Sequence, residues 1–296
     1  MFEITEDLEN VIVRTIADKK WLRYNGDLLL NEDTICENNF EVKGSLIVKG
    51  NLIVKGGLIV SKYLEVEGEE YIKGFEEVQG FETIKGNQFI CGNQIIAGEQ
   101  KVYGDQTIDG SQFVGMAQII EGNQKITNKQ EVKKDQEVKG NQEILEAQEI
   151  SGNQTISGNQ YVNGNQDIHY KQIIEGNQKI NGEQLIRDNQ TIKGNQYTKG
   201  FSCVLGKERI VEGESIIFRR RTKYCVHMDI DNKRIYFYSN FVKIDCQEHT
   251  LKFFRESGHK YLEKVADKAP EWWPKWKDIV FMVHEELDKQ YGKIDP

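Results

Sequence analysis

Aliphatic residues recur at every sixth position through the middle of the chain. Counting from Val42 in steps of six, the position is Val or Ile at 28 of 29 places through Ile210, with Thr198 as the exception. An α-helix has an apolar period of 3.6 residues, so a period of six held over this length indicates the hexapeptide repeat of a parallel β-helix. The sequence therefore predicts a mainly β protein with a β-solenoid at 24–215.

Each six-residue repeat predicts one short strand and one corner. A typical repeat reads aliphatic, variable, Gly, Asn, a fifth residue and a variable residue, as in residues 156–161. Side chains alternate along a strand, so the fifth residue and the aliphatic residue two positions later both face the interior. Glycine and asparagine at the third and fourth positions are typical of a corner in which the backbone takes positive φ.

Departures from the glycine rule indicate how many repeats make one coil. The third position lacks glycine at eight places between 44 and 212, and five of these are separated by multiples of eighteen residues. This spacing is expected if every third repeat falls on the same corner. The sequence thus predicts a three-sided prism of about eleven coils, with about 18 residues per coil and a length on the order of 50 Å. The five places are Lys62, Met116, Lys134, Tyr170 and Asp188.

The fifth position divides the interior into three zones. It is Leu at 46, 52, 58 and 64, Glu at 70, 76 and 82, and Gln at nineteen successive repeats from Gln88 to Gln196. A buried amide without a partner costs about 1–3 kcal/mol, so nineteen isolated amides would be strongly destabilising. We therefore predict that the glutamines bond amide to amide in ladders along the axis. A polar channel is the alternative.

The segment 42–56 resembles the repeats of bactofilins. It reads VKGSLIVKGNLIVKG, with glycine two residues after an aliphatic residue. Bactofilins are polymer-forming cytoskeletal β-helix proteins. The resemblance, which covers the solenoid only, implies a right-handed helix and end-to-end polymerisation. Hexapeptide acyltransferases share the period, but their fifth position is small, so acyltransferase chemistry is not expected here.

Both ends of the chain depart from the repeat. An open solenoid end exposes unpaired strand edges, so natural rods cap it. Leu8, Ile12 and Ile16 have helical spacing, with acidic residues in the first turn and lysines near the last, which predicts an N-terminal helical cap over residues 1–23.

Residues 216–296 are predicted to form a small C-terminal α+β domain. Apolar and polar residues alternate in 224–238 on either side of an Asp-Asn-Lys turn, which predicts a β-hairpin. Residues 245–248 have the form of a capping box and predict a helix through about residue 265. The apolar spacing of 276–287 predicts a final amphipathic helix. This domain is net positive whereas the rest of the chain is acidic, which supports a boundary there.

Four residues of this domain have the chemistry of a zinc site. Cys225 and His227 on the predicted hairpin, with Cys246 and His249 at the predicted helix start, supply two thiolates and two imidazoles. Their spacing is not that of a standard zinc finger, and ordinary packing residues are the alternative. Apart from this zinc, no cofactor is expected.

Basic and aromatic residues make the same domain the candidate surface for a partner. Uniform repeats offer no pocket, so specificity is expected where the composition is irregular. The basic run suits a phosphate backbone, although such runs are also solvated or paired with acids. The tryptophans suit a protein interface or the core of a small domain. The candidate residues are Arg219, Arg220, Arg221, Lys223, Trp272, Trp273 and Trp276.

An outward stripe on the rod is the second candidate surface. A coil of eighteen residues places Tyr71, Phe89, Tyr161 and Tyr197 on one face. Outward acids and bases nearly balance, which disfavours a DNA mimic that inhibits a nucleic-acid-binding protein.

Composition narrows the class of protein. Five widely spaced cysteines indicate a reducing compartment without a disulfide framework. No signal peptide and no apolar run of membrane-spanning length are recognisable, so a cytoplasmic protein is expected. The histidines form no recognisable catalytic group, which argues against an enzyme. The sequence predicts a non-enzymatic scaffold whose C-terminal domain engages a protein partner. A self-associating filament and a nucleic-acid binder are the alternatives.

Overall fold

The structure is a computed structural model in which a parallel β-solenoid dominates. It describes residues 1–7, 9, 11–16, 19–200, 202–205, 207–211, 215–217, 221–222, 225–230, 233–238, 241–244, 247–250, 252–256 and 269–291. Three parallel sheets form a solenoid with about 18 residues per turn, as the repeat predicted, and with about ten turns where about eleven were expected.

Each coil contributes one short strand to each sheet. In the repeats, the two ends of a strand are buried and the residue between them faces outward. The strands of the solenoid and its N-terminal cap are β1 (Phe2–Glu3), β2 (Val11–Ile16), β3 (Lys19–Tyr24), β4 (Leu28–Leu30), β5 (Thr34–Cys36), β6 (Asn39–Val42), β7 (Leu46–Val48), β8 (Leu52–Val54), β9 (Leu58–Val60), β10 (Leu64–Val66), β11 (Glu70–Ile72), β12 (Glu76–Val78), β13 (Glu82–Ile84), β14 (Gln88–Ile90), β15 (Gln94–Ile96), β16 (Gln100–Val102), β17 (Gln106–Ile108), β18 (Gln112–Val114), β19 (Gln118–Ile120), β20 (Gln124–Ile126), β21 (Gln130–Val132), β22 (Gln136–Val138), β23 (Gln142–Ile144), β24 (Gln148–Ile150), β25 (Gln154–Ile156), β26 (Gln160–Val162), β27 (Gln166–Ile168), β28 (Gln172–Ile174), β29 (Gln178–Ile180), β30 (Gln184–Ile186), β31 (Gln190–Ile192), β32 (Gln196–Thr198), β33 (Ser202–Val204), β34 (Glu208–Ile210), β35 (Ser215–Ile217) and β36 (Arg221–Thr222).

Every third strand belongs to the same sheet. Sheet A contains β1, β5 and every third strand to β35; sheet B contains β2, β3, β6 and every third strand to β36; sheet C contains β4 and every third strand to β34. Within the repeats, strands of one sheet pair in parallel at an offset of 18 residues, as Gln106 does with Gln124. Near the C-terminal end the offset becomes 19, with Ser202 opposite Arg221, so solenoid pairing extends through Thr222, beyond residue 215.

Glycine at the third position is required by close stacking of the corners. Among the glycines that the structure describes, only Gly26 has a positive φ, of 120°. The expected positive φ is therefore wrong for the other described glycines at the third position. The Gly104 amide donates a hydrogen bond of 3.1 Å to the carbonyl oxygen of Gly86 one coil below. A Cβ on Gly104 would lie 2.6 Å from that oxygen, so the successive corners leave no room for a side chain there.

Asparagine at the fourth position joins corner to corner. Asn123 Oδ1 accepts hydrogen bonds from the backbone N–H of Asn141 (2.9 Å) and from its Nδ2 (3.2 Å). The same two bonds link Asn141 to Asn159 and Asn159 to Asn177. These residues form an asparagine ladder along the edge between sheets C and A.

The N-terminal cap is a β-hairpin, so the predicted helix is wrong. β2 pairs antiparallel with β3, which pairs parallel with β6 and so places the hairpin on the first edge of sheet B. β1 extends sheet A in the same way by pairing with β5. Val11–Ile16 is rich in β-branched residues, which favour strands, and the open sheet edge supplies unpaired backbone groups. Leu8 lies outside the described residues.

The described residues of the C-terminal segment contain a fourth sheet and two helices. β37 (Cys225–Ile230), β38 (Lys233–Tyr238), β39 (Phe241–Ile244) and β40 (Gln247–His249) are antiparallel neighbours in that order, which confirms the predicted hairpin. The predicted helix start at 245–248 is wrong, because 247–249 is β40. The helix α1 (252–256) follows Thr250, whose Oγ1 accepts the Phe253 N–H at 3.2 Å and so caps it. The predicted final helix is α2 (Ala269–Tyr291).

Candidate functional site

Of the predicted basic run, only Arg221 lies among the described residues. Arg221 belongs to β36, the last strand of sheet B. Arg219, Arg220 and Lys223 lie outside the described residues. Trp272 lies in α2, but its side chain is also outside the described part of the structure.

The predicted zinc ligands fall on two strands of the C-terminal sheet. Cys225 and His227 lie on β37 and His249 lies on β40, while Cys246 is outside the described residues. β37 and β40 are the two edge strands of this sheet, with β38 and β39 between them. Their backbones are therefore about 14 Å apart at a strand spacing of about 4.8 Å. The zinc site stays a prediction.

The tryptophans of α2 have different environments. Trp273 is 2% exposed and packs against Phe254 of α1, with ring centroids 5.3 Å apart. Phe281 meets the same indole edge to face at 5.7 Å. Trp276 is partly exposed, and the Lys275 ammonium lies 4.7 Å from its ring centroid. Trp273 thus joins the two helices, and Trp276 reaches the surface.

Glutamine side chains fill the polar part of the rod interior. Gln124 Nε2 donates to Gln106 Oε1 one coil below at 2.8 Å, and contacts Gln118 Oε1 and Gln112 Oε1 at 3.1 and 3.3 Å. The nineteen glutamines are at most 2% exposed. The predicted ladders are confirmed, and because each amide also contacts the neighbouring sheets, the three ladders form one network.

The glutamine network has a direction. Each Gln–Gln hydrogen bond in it runs from the Nε2 of the later residue to the Oε1 of an earlier one, as from Gln142 to Gln124 (2.7 Å) and from Gln160 to Gln142 (2.9 Å). The amide dipoles therefore point the same way, with N–H groups toward the N-terminal end of the rod. At the opposite end the carbonyl of Gln184 accepts a hydrogen bond from Ser202 Oγ (3.0 Å).

A layer of three glutamates receives the N–H end of the network. Nε2 of Gln88, Gln94 and Gln100 donates to Oε2 of the glutamate directly below it, at 2.7, 2.7 and 2.5 Å respectively. These glutamates, one from each sheet, are 2%, 0% and 1% exposed. One oxygen from each lies within 4.8 Å of the other two. They are Glu70, Glu76 and Glu82, hereafter the glutamate layer.

The environment of the glutamate layer favours protonated carboxyl groups. Burial is the largest cause and raises the pKa of all three carboxyl groups, and it does so well above the ordinary range for Glu70 and Glu76. Repulsion from the neighbouring carboxyl groups raises the pKa of Glu70 and Glu76 further. Below the layer, the paired residues are Leu52, Leu58 and Leu64. The sequence showed these glutamates but gave no indication that they receive an oriented network.

The outward stripe predicted on the rod lies on sheet A. Tyr71 pairs with Phe89, and their rings stack with their centroids 5.3 Å apart. This confirms that an eighteen-residue coil places these two residues in one column. Further along, the Lys179 ammonium lies 5.2 Å from the Tyr161 ring and 5.8 Å from the Tyr197 ring. Between this column and the asparagine ladder runs an open groove of about 610 Å³. This outer face is the second candidate surface.

Comparisons with known proteins add no relatives. A scan of family models, a search of curated proteins and a search of solved structures each returned no match. The structure supports the parallel β-solenoid architecture that the resemblance to bactofilins implied, and no family match supports the family itself. Of the described helices, none combines the length and the apolar character needed to span a membrane.

Proposed function

We propose that the protein is a non-enzymatic scaffold in which the solenoid is a rigid spacer and the C-terminal segment contacts a protein partner. The unbroken register of the coils carries this proposal. Three sheets keep the 18-residue offset from β7 to β34, so the rod holds its two ends at a fixed distance and a fixed rotation.

The interior supports rigidity along this length. Val and Ile at the strand ends are fully buried from Val42 to Ile192, and the glutamine network adds hydrogen bonds between successive coils. Bending the rod would separate both kinds of contact on one side, and buried polar groups are costly to leave unpaired. A rod of this kind suits separation of two attachment points better than enclosure of a small ligand.

The composition of the C-terminal segment supports a partner-binding surface there. The segment carries Trp276, and the basic run immediately precedes it in the sequence. Large aromatic side chains that reach the surface are common centres of protein interfaces.

Capture of proteins from lysate by the full-length chain and its variants tests where the partner binds. We expect Trp276→Ala to reduce recovery of a specific protein partner from lysate, and Tyr161→Ala on sheet A to leave it unchanged. The reverse result would move the partner site to the rod. Loss of salt-sensitive nucleic acid binding after changing Arg219, Arg220 and Arg221 to Glu would instead favour a nucleic-acid binder. Filaments seen by electron microscopy would favour the bactofilin-like alternative.

A further inference from the structure

We propose that the glutamate layer is a buried proton-binding site, in which a proton shared between Glu70 and Glu76 is held at neutral pH and completes the N-terminal end of the glutamine network. The site is independent of the scaffold proposal, because it follows from the interior of the rod alone.

The direction of the network requires acceptors at this end. Gln88, Gln94 and Gln100 aim their Nε2 groups toward the N-terminal end of the rod. A further layer of glutamines below them would in turn aim its own N–H groups at the leucine layer, which has no acceptor. Carboxyl groups end the network because they accept from above and have no obligatory N–H below. This explains why Glu occupies the fifth position in the coil between the leucine-filled and the glutamine-filled parts of the rod.

Two carboxyl oxygens remain after the amides have donated. Oε2 of each glutamate accepts from the glutamine above it, and Glu82 Oε1 accepts from Gln88 Nε2 at 2.9 Å. Glu70 Oε1 and Glu76 Oε1 are buried and receive no hydrogen bond. One oxygen of each of these two carboxyl groups lies within 4.8 Å of an oxygen of the other. One proton on either group, donated to the other, satisfies both oxygens.

A proton fits this site better than a metal ion. Calcium takes six to eight oxygen ligands and magnesium needs six in octahedral geometry. Only two carboxyl oxygens of the layer are without an amide donor, and the amide N–H groups present their positive ends to the site. The leucines below supply no ligand. A shared proton needs only the two oxygens that the structure leaves over.

No other charged group competes for the site. The strands stacked on it, β8–β10 below and β14–β16 above, all lie in the described part of the chain and direct only Leu, Val, Ile and Gln inward. The three carboxyl groups therefore face one another alone. Removing the shared proton would add one more negative charge to the glutamate layer, where no counterion is present.

The dependence on pH follows from the raised pKa. A carboxyl group whose pKa is higher in the folded than in the unfolded chain contributes stability that is complete below the unfolded pKa. That contribution is lost as the pH rises through the folded pKa. The junction between the leucine-filled and glutamine-filled parts of the rod is thus the place where rising pH weakens the solenoid.

Infrared spectroscopy of the full-length wild-type chain tests the proposal directly. We expect a protonated carboxyl C=O band at neutral pH that disappears as the pH is raised. The band should be absent from the triple variant Glu70→Gln, Glu76→Gln, Glu82→Gln and retained in Glu77→Gln, which changes the outward residue of β12. Absence of the band from the wild-type chain at neutral pH would overturn the proposal, and this measurement does not require the triple variant to fold.

Unfolding midpoints give a second readout. Between about pH 5 and about pH 9, the wild-type and Glu77→Gln midpoints should fall by more than that of the triple variant. Equal falls in all three chains would contradict the site. Magnesium, calcium and manganese salts are the probes for the metal alternative. A rise of the wild-type midpoint with any of them, reversed by a chelator and absent from the triple variant, would replace the proton with a cation.

Discussion

Gln88 Nε2 lies 2.7 Å from Glu70 Oε2, the residue directly below it in sheet A. This contact is the point at which the amide interior of the rod ends. Above it, Gln106 donates to Gln88 (2.7 Å) and accepts from Gln124 (2.8 Å) along the axis; below it, Leu52 does neither. In sheet B the ladder therefore has two different ends, the Glu76 carboxyl group and the Ser202 hydroxyl group.

Replacing one glutamine inside the network should weaken the rod measurably. Gln142→Leu removes the donor to Gln124 (2.7 Å) and the acceptor of Gln160 (2.9 Å). We expect the free energy of unfolding to fall by about 1–3 kcal/mol or more, because buried amide groups above and below lose a partner. Urea denaturation measures it.

The control for this substitution lies on the same strand. Glu143→Leu makes a similar change on the outer face of β23, where the ion pair with Lys125 is exposed and contributes little. Equal midpoints for Gln142→Leu and the wild-type chain would mean that the network does not stabilise the rod.

Removing the Ser202 hydroxyl group should cause a smaller loss of stability. Ser202→Ala removes the donor to Gln184 Oε1 and leaves that buried carbonyl with one partner fewer. A loss of about 1 kcal/mol is expected. Ser157→Ala, at an exposed corner position, is the matched control and should be neutral. If thermal unfolding places both variants at the wild-type midpoint, Ser202 does not close the network.

The repeat allowed the architecture to be predicted because every coil has the same pattern of inward-facing and outward-facing residues. Gln and the Val or Ile two residues later face the same side only on a strand. The Gln amides can be buried there only if neighbouring strands place further Gln amides beside them. The direction of the glutamine network was not predictable from the glutamines, since an amide side chain can point either way. In sheet B this direction matches the two ends of the ladder, where Glu76 accepts and Ser202 donates.

The errors at the chain ends have a common physical origin. Ile12 and Ile16 fit helical spacing, yet the segment pairs as β2 because the open edge of sheet B offers backbone partners. Residues 245–248 have capping-box letters, but β40 pairs with β39 and Thr250 caps α1 instead. In both places the local sequence is compatible with either a helix or a strand, and pairing with a neighbouring strand edge favours the strand.

A charge in the aliphatic column should be far more damaging than one beside it. Ile156 is fully buried at the end of β25. Ile156→Asp puts an unpaired carboxylate in the core, and we expect a loss of about 4 kcal/mol or more. Ser157→Asp, one residue further and exposed, should have little effect. Wild-type thermal stability of Ile156→Asp would mean that the inward face has been assigned incorrectly.

Deleting whole repeats should shorten the rod without unfolding it. Removing residues 118–135 takes out one coil, because Gln136 then occupies the place of Gln118 in sheet C. Removing only 118–123 keeps the aliphatic and glutamine positions in phase but moves each later strand to a neighbouring sheet. We expect both chains to fold, whereas removal of 118–121 puts polar residues into the interior and should destabilise the rod strongly.

Distances between spin labels distinguish the two tolerated deletions. Lys55 and Lys199 occupy the same outward column, eight coils or about 38 Å apart, and unnatural residues can carry the labels there without the native cysteines. The 18-residue deletion should shorten this distance by about 4.8 Å. The six-residue deletion should shorten the rod by only a third of that amount and rotate position 199 to another edge of the prism. If both deletions leave the distance unchanged, the coils are not the rigid, equal units on which the spacer function depends.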